Sequence, residues 1–134
     1  VERLGSATLT GDLTLQDVKG FEADGTEVEL EYEPALAGKF GLEGPLLAAF
    51  RGSAAVRYMS QQLCENPEAG GLQPLDGSAS LDLTVRRLFS LGNSRALSRM
   101  DASASMRNVT DAAVFDQCGL PQPGRLVQIQ FRIW

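Results

Sequence analysis

Four glutamates that alternate with other residues form the most regular row of reactive side chains in the sequence. They occupy every second position of residues 27–33. On an extended strand, neighbours in such a row lie about 7 Å apart, a separation that paired carboxylates also use in glycosidases. That chemistry needs an apolar pocket around one carboxyl group, and a row facing water offers none. We therefore interpret Glu27, Glu29 and Glu31 as candidate partner-binding residues on a solvated face or a protected sheet edge.

The absence of histidine narrows the possible chemistry further. Without it, the chain lacks the commonest general base and metal ligand, and serine–histidine or cysteine–histidine nucleophile systems are excluded. The glycine-rich residues 38–44 lack the lysine and serine or threonine that end a phosphate-binding loop. The glutamate row has no EF-hand-like loop and makes a poor calcium cage. We predict a non-enzymatic protein with no metal and no cofactor.

Arginines between residues 86 and 107 form the second candidate group. A planar guanidinium binds carboxylates and phosphates through two parallel hydrogen bonds, so this group would suit an acidic partner or a lipid headgroup. Pairing within the chain, with the glutamate row, is the alternative. The candidate partner-binding residues of the group are Arg86, Arg87, Arg95 and Arg99.

Composition and charge indicate one ordinary folded domain. The 134 residues suit a single domain, predicted over residues 1–134. The net charge is −5, with 17 acidic against 12 basic residues, which disfavours nucleic acid as a partner. No apolar run approaches the roughly 18 residues that a membrane-spanning helix needs, so we predict a chain that does not span a membrane.

The two cysteines, Cys64 and Cys118, stand 54 positions apart without any metal-binding spacing. Each lies beside turn-forming residues, where exported domains often place a disulfide. A disulfide between them is favoured, and two buried free thiols are the alternative. The disulfide predicts an oxidising compartment, and we expect a periplasmic or secreted protein.

Period-two alternation of apolar residues recurs along the chain and predicts strands. It is clear in residues 7–15, 27–33, 77–85, 100–106 and 124–134. Strands with one polar face favour antiparallel pairing. The last of them ends at Trp134, whose large ring could anchor a partner.

Residues 46–63 show a different pattern. Apolar side chains recur there at spacings of three and four, Pro45 precedes them, and alanines are frequent. These features predict one helix, although Gly52 weakens it and a pair of short strands is the alternative. The expected fold is therefore mainly β (β-rich α+β), an antiparallel sheet or sandwich with one helix.

Two functions follow as hypotheses. The first is a binding or assembly module of a cell-envelope or secreted system that acts through protein–protein contacts, because catalytic residue types are missing and amphipathic strands are plentiful. The second is a carrier of a lipid or another apolar small molecule, held between a curved sheet and the helix. Small residues Ala102 and Ala104 beside Met100 and Met106 would leave space for that ligand.

Overall fold

A computed structural model of the chain describes residues 6–47, 49–66, 70–92 and 98–134. The regular elements in these ranges are β-strands, with no helix among them. In chain order they are β1 (Thr8–Leu15), β2 (Lys19–Phe21), β3 (Glu27–Glu29), β4 (Leu36–Pro45), β5 (Phe50–Met59), β6 (Gln62–Glu65), β7 (Leu72–Leu75), β8 (Ser78–Ser90), β9 (Arg99–Arg107), β10 (Phe115–Gln117), β11 (Leu120–Pro121) and β12 (Leu126–Ile133).

Six of the strands form one antiparallel sheet in the order β1-β4-β5-β8-β9-β12. The remaining strands form three separate two-stranded hairpins, β2-β3, β6-β7 and β10-β11. Each hairpin lies within a connection between two strands of the main sheet: β2-β3 between β1 and β4, β6-β7 between β5 and β8, and β10-β11 between β9 and β12. All three connections are at the same end of the sheet. We call this the hairpin end. The shorter connections, from β4 to β5 and from β8 to β9, lie at the opposite end.

The pairing register keeps most of the apolar side chains of the six strands on one face, which we call the apolar face. A single row across the sheet shows this: it runs Leu9, Leu42, Ala54, Leu83, Met106, Val127. Because successive side chains of a strand point to opposite faces, the residues between these rows form the other, polar face. The predicted mainly-β, antiparallel fold is therefore confirmed.

The polar face is held together by charges on neighbouring strands. Its ion pairs are Glu43–Arg51, Arg57–Asp82 and Arg86–Asp101. The last is bidentate, since Arg86 Nε and Nη2 donate to the two carboxylate oxygens of the buried Asp101. This hydrogen-bonded guanidinium lowers the pKa of Asp101 below its ordinary value, against the opposing effect of desolvation.

The hairpin end carries the disulfide. Cys64 in β6 is bonded to Cys118, as the sequence predicts, and this links the β6-β7 hairpin to the β10-β11 hairpin. The chain leaving β9 is also fixed to the sheet, because the backbone N–H of Asn108 donates to Asp82 and that of Val109 donates to the carbonyl of Leu81. Both acceptors belong to β8, so this end is anchored covalently and by hydrogen bonds.

The predicted helix over residues 46–63 is wrong. This segment instead contains β5 and the first two residues of β6. Its apolar residues also fit period two, since Phe50, Ala54, Val56 and Tyr58 share the apolar face. Gly52 on the apolar face and Ala55 on the polar face weakened the contrast between the two faces and so obscured that alternation. Pairing with β4 on one side and β8 on the other then outweighs the helix propensity of the alanines.

Replacing both cysteines by serine tests the contribution of the disulfide to stability. The bond closes a loop with a sequence separation of 54, and loop entropy predicts that its loss lowers the free energy of unfolding by about 4 kcal/mol. Urea unfolding, followed by circular dichroism without reductant, measures this. Equal midpoints for the double variant and the parent chain would contradict the expectation.

Acid unfolding tests the Arg86–Asp101 pair. The pKa of Asp101 is lowered in the folded chain, so the pair stabilises the fold above the unfolded-state value of about 3.9 and this stability is lost as the pH falls through the folded-state value. We expect Asp101→Asn to lower the thermal midpoint at pH 7 and to flatten its fall below about pH 4. Asp12→Asn, an exposed change on the same face, is the control and should leave the thermal midpoint at pH 7 nearly unchanged.

Candidate functional site

The apolar face lies open to water. Leu9 on β1 is 78% exposed, Val56 near the centre of the sheet is 42% exposed, and Phe131 on β12 is 64% exposed. Among the described residues only Cys64 and Leu75 are both apolar and buried, and both belong to the β6-β7 hairpin. The main sheet therefore presents its hydrophobic side chains outward instead of enclosing them in a core.

The surface area of the chain agrees with this description. The accessible surface is 10010 Å², whereas a compact monomer of this mass is expected to expose about 6,800 Å². An uncovered sheet face contributes to the excess. Large apolar surfaces of this kind are typical of sites that contact proteins, membranes or ligands.

Two shallow depressions lie side by side on the apolar face, towards the opposite end of the sheet. The larger, of about 310 Å³, is lined by Leu42, Leu46, Ala54 and Leu83 among others. Gly52 lets Leu46 lie against the sheet, since a Cβ at that position would come within 2.7 Å of a Leu46 methyl carbon.

The smaller depression, of about 200 Å³, is lined by Phe50, Phe89, Ile129 and Phe131 among others. Val85 lines both depressions. The two hollows are therefore adjacent, and an elongated apolar ligand could occupy both.

Arg87 is the one charged residue at the paired positions of the apolar face. Its neighbours across the strands are Phe50 and Ala102. The guanidinium carbon lies 4.9 Å from the ring centre of Phe50 and 4.6 Å from that of Phe89. These cation–π contacts hold the charge down on the apolar surface instead of letting it extend into solvent.

The Arg87 guanidinium is also incompletely satisfied. Its Nε is buried and has no hydrogen-bond partner, and within the described part of the chain no carboxylate forms an ion pair with it. Buried donors of this kind are costly unless a partner supplies the acceptor. The apolar face thus carries one cation with free capacity to bind an anion.

The neighbouring Arg86 is in the reverse situation. Strand alternation places it on the polar face, where Asp101 neutralises it. The sequence grouped these two arginines as one site, but the structure separates them. Arg95 lies outside the described residues.

Arg99 and Trp134 lie together at the β9–β12 end of the sheet. The backbone N–H of Trp134 donates to the carbonyl of Arg99 at 3.1 Å, and the reverse bond is 2.9 Å. Trp134 is 45% exposed and Arg99 is exposed. Both therefore stay available to a partner that approaches this edge.

The glutamate row is shorter than its alternation predicts. Only Glu27 and Glu29 lie in a strand, and Glu27 forms an ion pair with Lys19 on the adjacent strand at 2.6 Å. Glu31 follows the strand, and Tyr32 then adopts a φ of 59°, which ends the extended backbone. The hypothesis of pairing between this row and the arginines finds no contact among the described residues, because β3 pairs with β2 alone.

In the described ranges, no group of three or more cysteine, aspartate or glutamate residues is placed to hold a metal ion. The same ranges contain no helix long and apolar enough to cross a membrane. No protein-family model, curated protein or solved structure matches the chain.

Adjacent substitutions on opposite faces test whether the apolar face is a binding surface. Ala54 lines the larger depression, and Ala55 lies on the polar face opposite Gly41. We expect Ala54→Lys to reduce the fluorescence of bound Nile red, an uncharged apolar dye, by roughly half, because it places a charge in the hollow. Ala55→Lys adds the same charge to the other face and should leave the signal unchanged. Equal effects of the two changes would argue against the apolar face.

Proposed function

We propose that this chain is a non-enzymatic binding or assembly module of a cell-envelope or secreted system, acting through protein–protein contacts. One observation carries the proposal: in the described part of the chain, the sheet ends at β1 and β12, each paired on one side only. Every residue of both strands is exposed. Open edges of this kind are templates for an added strand from another polypeptide.

The backbone of β12 supports strand addition at one of these edges. Trp134 and Arg99 exchange both of their backbone hydrogen bonds. In an antiparallel ladder such pairs alternate with pairs that exchange none. Counting back through the register, the N–H groups of Val127, Ile129, Phe131 and Ile133 point away from β9. The edge therefore offers unpaired donors at the residues whose side chains lie on the apolar face.

The disulfide supports an envelope or secreted location. Disulfides persist in oxidising compartments such as the periplasm or the extracellular space, and are rare in the cytosol. Arg99 and Trp134 adjoin the β12 edge and are the proposed side-chain contacts there. Glu27, Glu29 and Glu31 lie in or beside the β2-β3 hairpin and would offer a separate acidic contact.

A second candidate function is carriage of a lipid or another apolar small molecule. The uncovered apolar face, with its two adjacent depressions, specifically favours it. Since residues 46–63 do not form the predicted helix, the ligand would lie on the open sheet itself. This function and strand addition use different surfaces, so one chain could perform both.

A proline at the β12 edge tests strand addition. Ile129→Pro removes an N–H group that points away from β9 and leaves the β9–β12 bonds intact. A photo-cross-linking residue at Gln130, introduced in the native compartment, should yield a defined protein adduct, and Ile129→Pro should reduce that yield by roughly tenfold.

Two controls accompany this experiment. Ile129→Ala shortens the side chain but keeps the N–H group, and should retain most of the adduct. The same cross-linker at Ser53, on a strand paired on both sides, should give none. Identical products from positions 130 and 53, or no product from either, would overturn strand addition at this edge.

A further inference from the structure

We propose that the apolar face binds a long-chain carboxylate, with its acyl chain in the two depressions beside Val85 and its carboxylate on Arg87. The proposal rests on the second candidate function, carriage of an apolar ligand, and specifies the class of that ligand.

The charge pattern of the face defines the ligand's headgroup. Arg87 is the single charge among the paired positions of the apolar face, and the residues opposite it are Phe50 and Ala102. A wholly apolar ligand would leave this cation uncompensated under the ligand, whereas an anion at one end of the ligand neutralises it. The complementary molecule is therefore an amphiphile with one anionic group.

The headgroup is assigned as a carboxylate because a single guanidinium faces it. The planar fork of arginine matches a carboxylate through two parallel hydrogen bonds and balances one negative charge. A phosphate monoester approaches two negative charges near neutral pH, and no second cation occupies a paired position on this face. The phenylalanine rings on either side restrict the guanidinium and so orient it for this contact.

The position of Arg87 defines the orientation of the acyl chain. Arg87 lies near the end of β8, towards the opposite end of the sheet and away from the hairpins. It belongs to the lining of the smaller depression, and Val85 connects that depression to the larger one. An acyl chain that starts at Arg87 can therefore cross Val85 and reach Ala54 and Leu42 without meeting another charged side chain of this face.

Fluorescent fatty-acid binding tests the proposal on the intact, disulfide-bonded chain. The probes are cis-parinaric acid, a polyene fatty acid that is ionised at pH 8, and its uncharged methyl ester. We expect Arg87→Gln to weaken binding of the acid by about tenfold or more and to leave binding of the ester unchanged. Arg87→Lys should fall between the two, because it keeps the charge but loses the fork.

Arg107→Gln is the matched control, since it removes the same charge from an exposed position on the polar face. It should change the affinity of neither probe. Circular dichroism checks that each variant keeps its strands. A loss of acid binding by Arg107→Gln equal to that of Arg87→Gln would reduce the effect to net charge and overturn the site.

The remaining outcomes separate this proposal from the function on which it rests. If the parent chain binds neither probe, carriage of an apolar ligand fails as well. If Arg87→Gln weakens the acid and the ester equally, carriage stands but Arg87 has a structural role and the headgroup assignment is overturned. Displacement of the acid probe by lysophosphatidate at lower concentration than by oleate would replace the carboxylate with a phosphate. A dimer that Ala54→Lys dissociates would make a second copy the occupant of the face.

Discussion

Side-chain alternation, kept in register across six strands, is the constraint on which the rest of the molecule depends. Because successive side chains of a strand alternate between the two faces, a slip of one residue between any two strands would move the apolar side chains of one strand to the polar face. The cross-strand ion pairs oppose such a slip. Glu43–Arg51 fixes β4 against β5, Arg57–Asp82 fixes β5 against β8, and Arg86–Asp101 fixes β8 against β9. Electrostatic pairing on one face thereby positions the hydrophobic surface on the other.

The described chain stabilises itself with little buried apolar area. Its contributions are the backbone ladders of the sheet, the ion pairs of the polar face and the disulfide between two hairpins. Covering the apolar face with a ligand or a partner would add the burial that a globular domain normally gains by folding alone. Any ligand or partner bound to this face would therefore also stabilise the sheet beneath it.

Much of the sheet follows from the sequence, because its strands alternate visibly. Residues 7–15, 77–85, 100–106 and 124–134 all enclose strands of the main sheet or overlap them. The helix prediction failed at β5, where Gly52 and two alanines gave no clear contrast between faces. The pairing of β5 with β4 and β8 decides its conformation.

The candidate site was harder to predict from the sequence than the sheet. Arg86 and Arg87 read as one basic cluster, and only a definite strand through residue 90 shows that they face opposite ways. The sequence does indicate that Arg87 belongs to the apolar face, since Val85, Arg87 and Phe89 continue the odd-numbered row of β8. The partner of Arg86 could not be inferred, because Asp101 becomes its neighbour through the β8–β9 register. Likewise, local alternation does not reveal that the apolar rows remain uncovered, which depends on the whole fold.

The placement of all three hairpins at one end gives the chain an internal modularity. Strand, hairpin and returning strand occur in succession three times, as β1 to β4, β5 to β8 and β9 to β12. Each such unit contributes two antiparallel strands and, in the described ranges, pairs with the neighbouring unit of the main sheet, so the stability of the sheet should approximate a sum of unit and nearest-neighbour terms. Adding a unit would widen the sheet by about 10 Å and reproduce the same edge direction and the same faces. Further units of this kind could thus be added at the edge of the sheet while the existing strands keep their pairing.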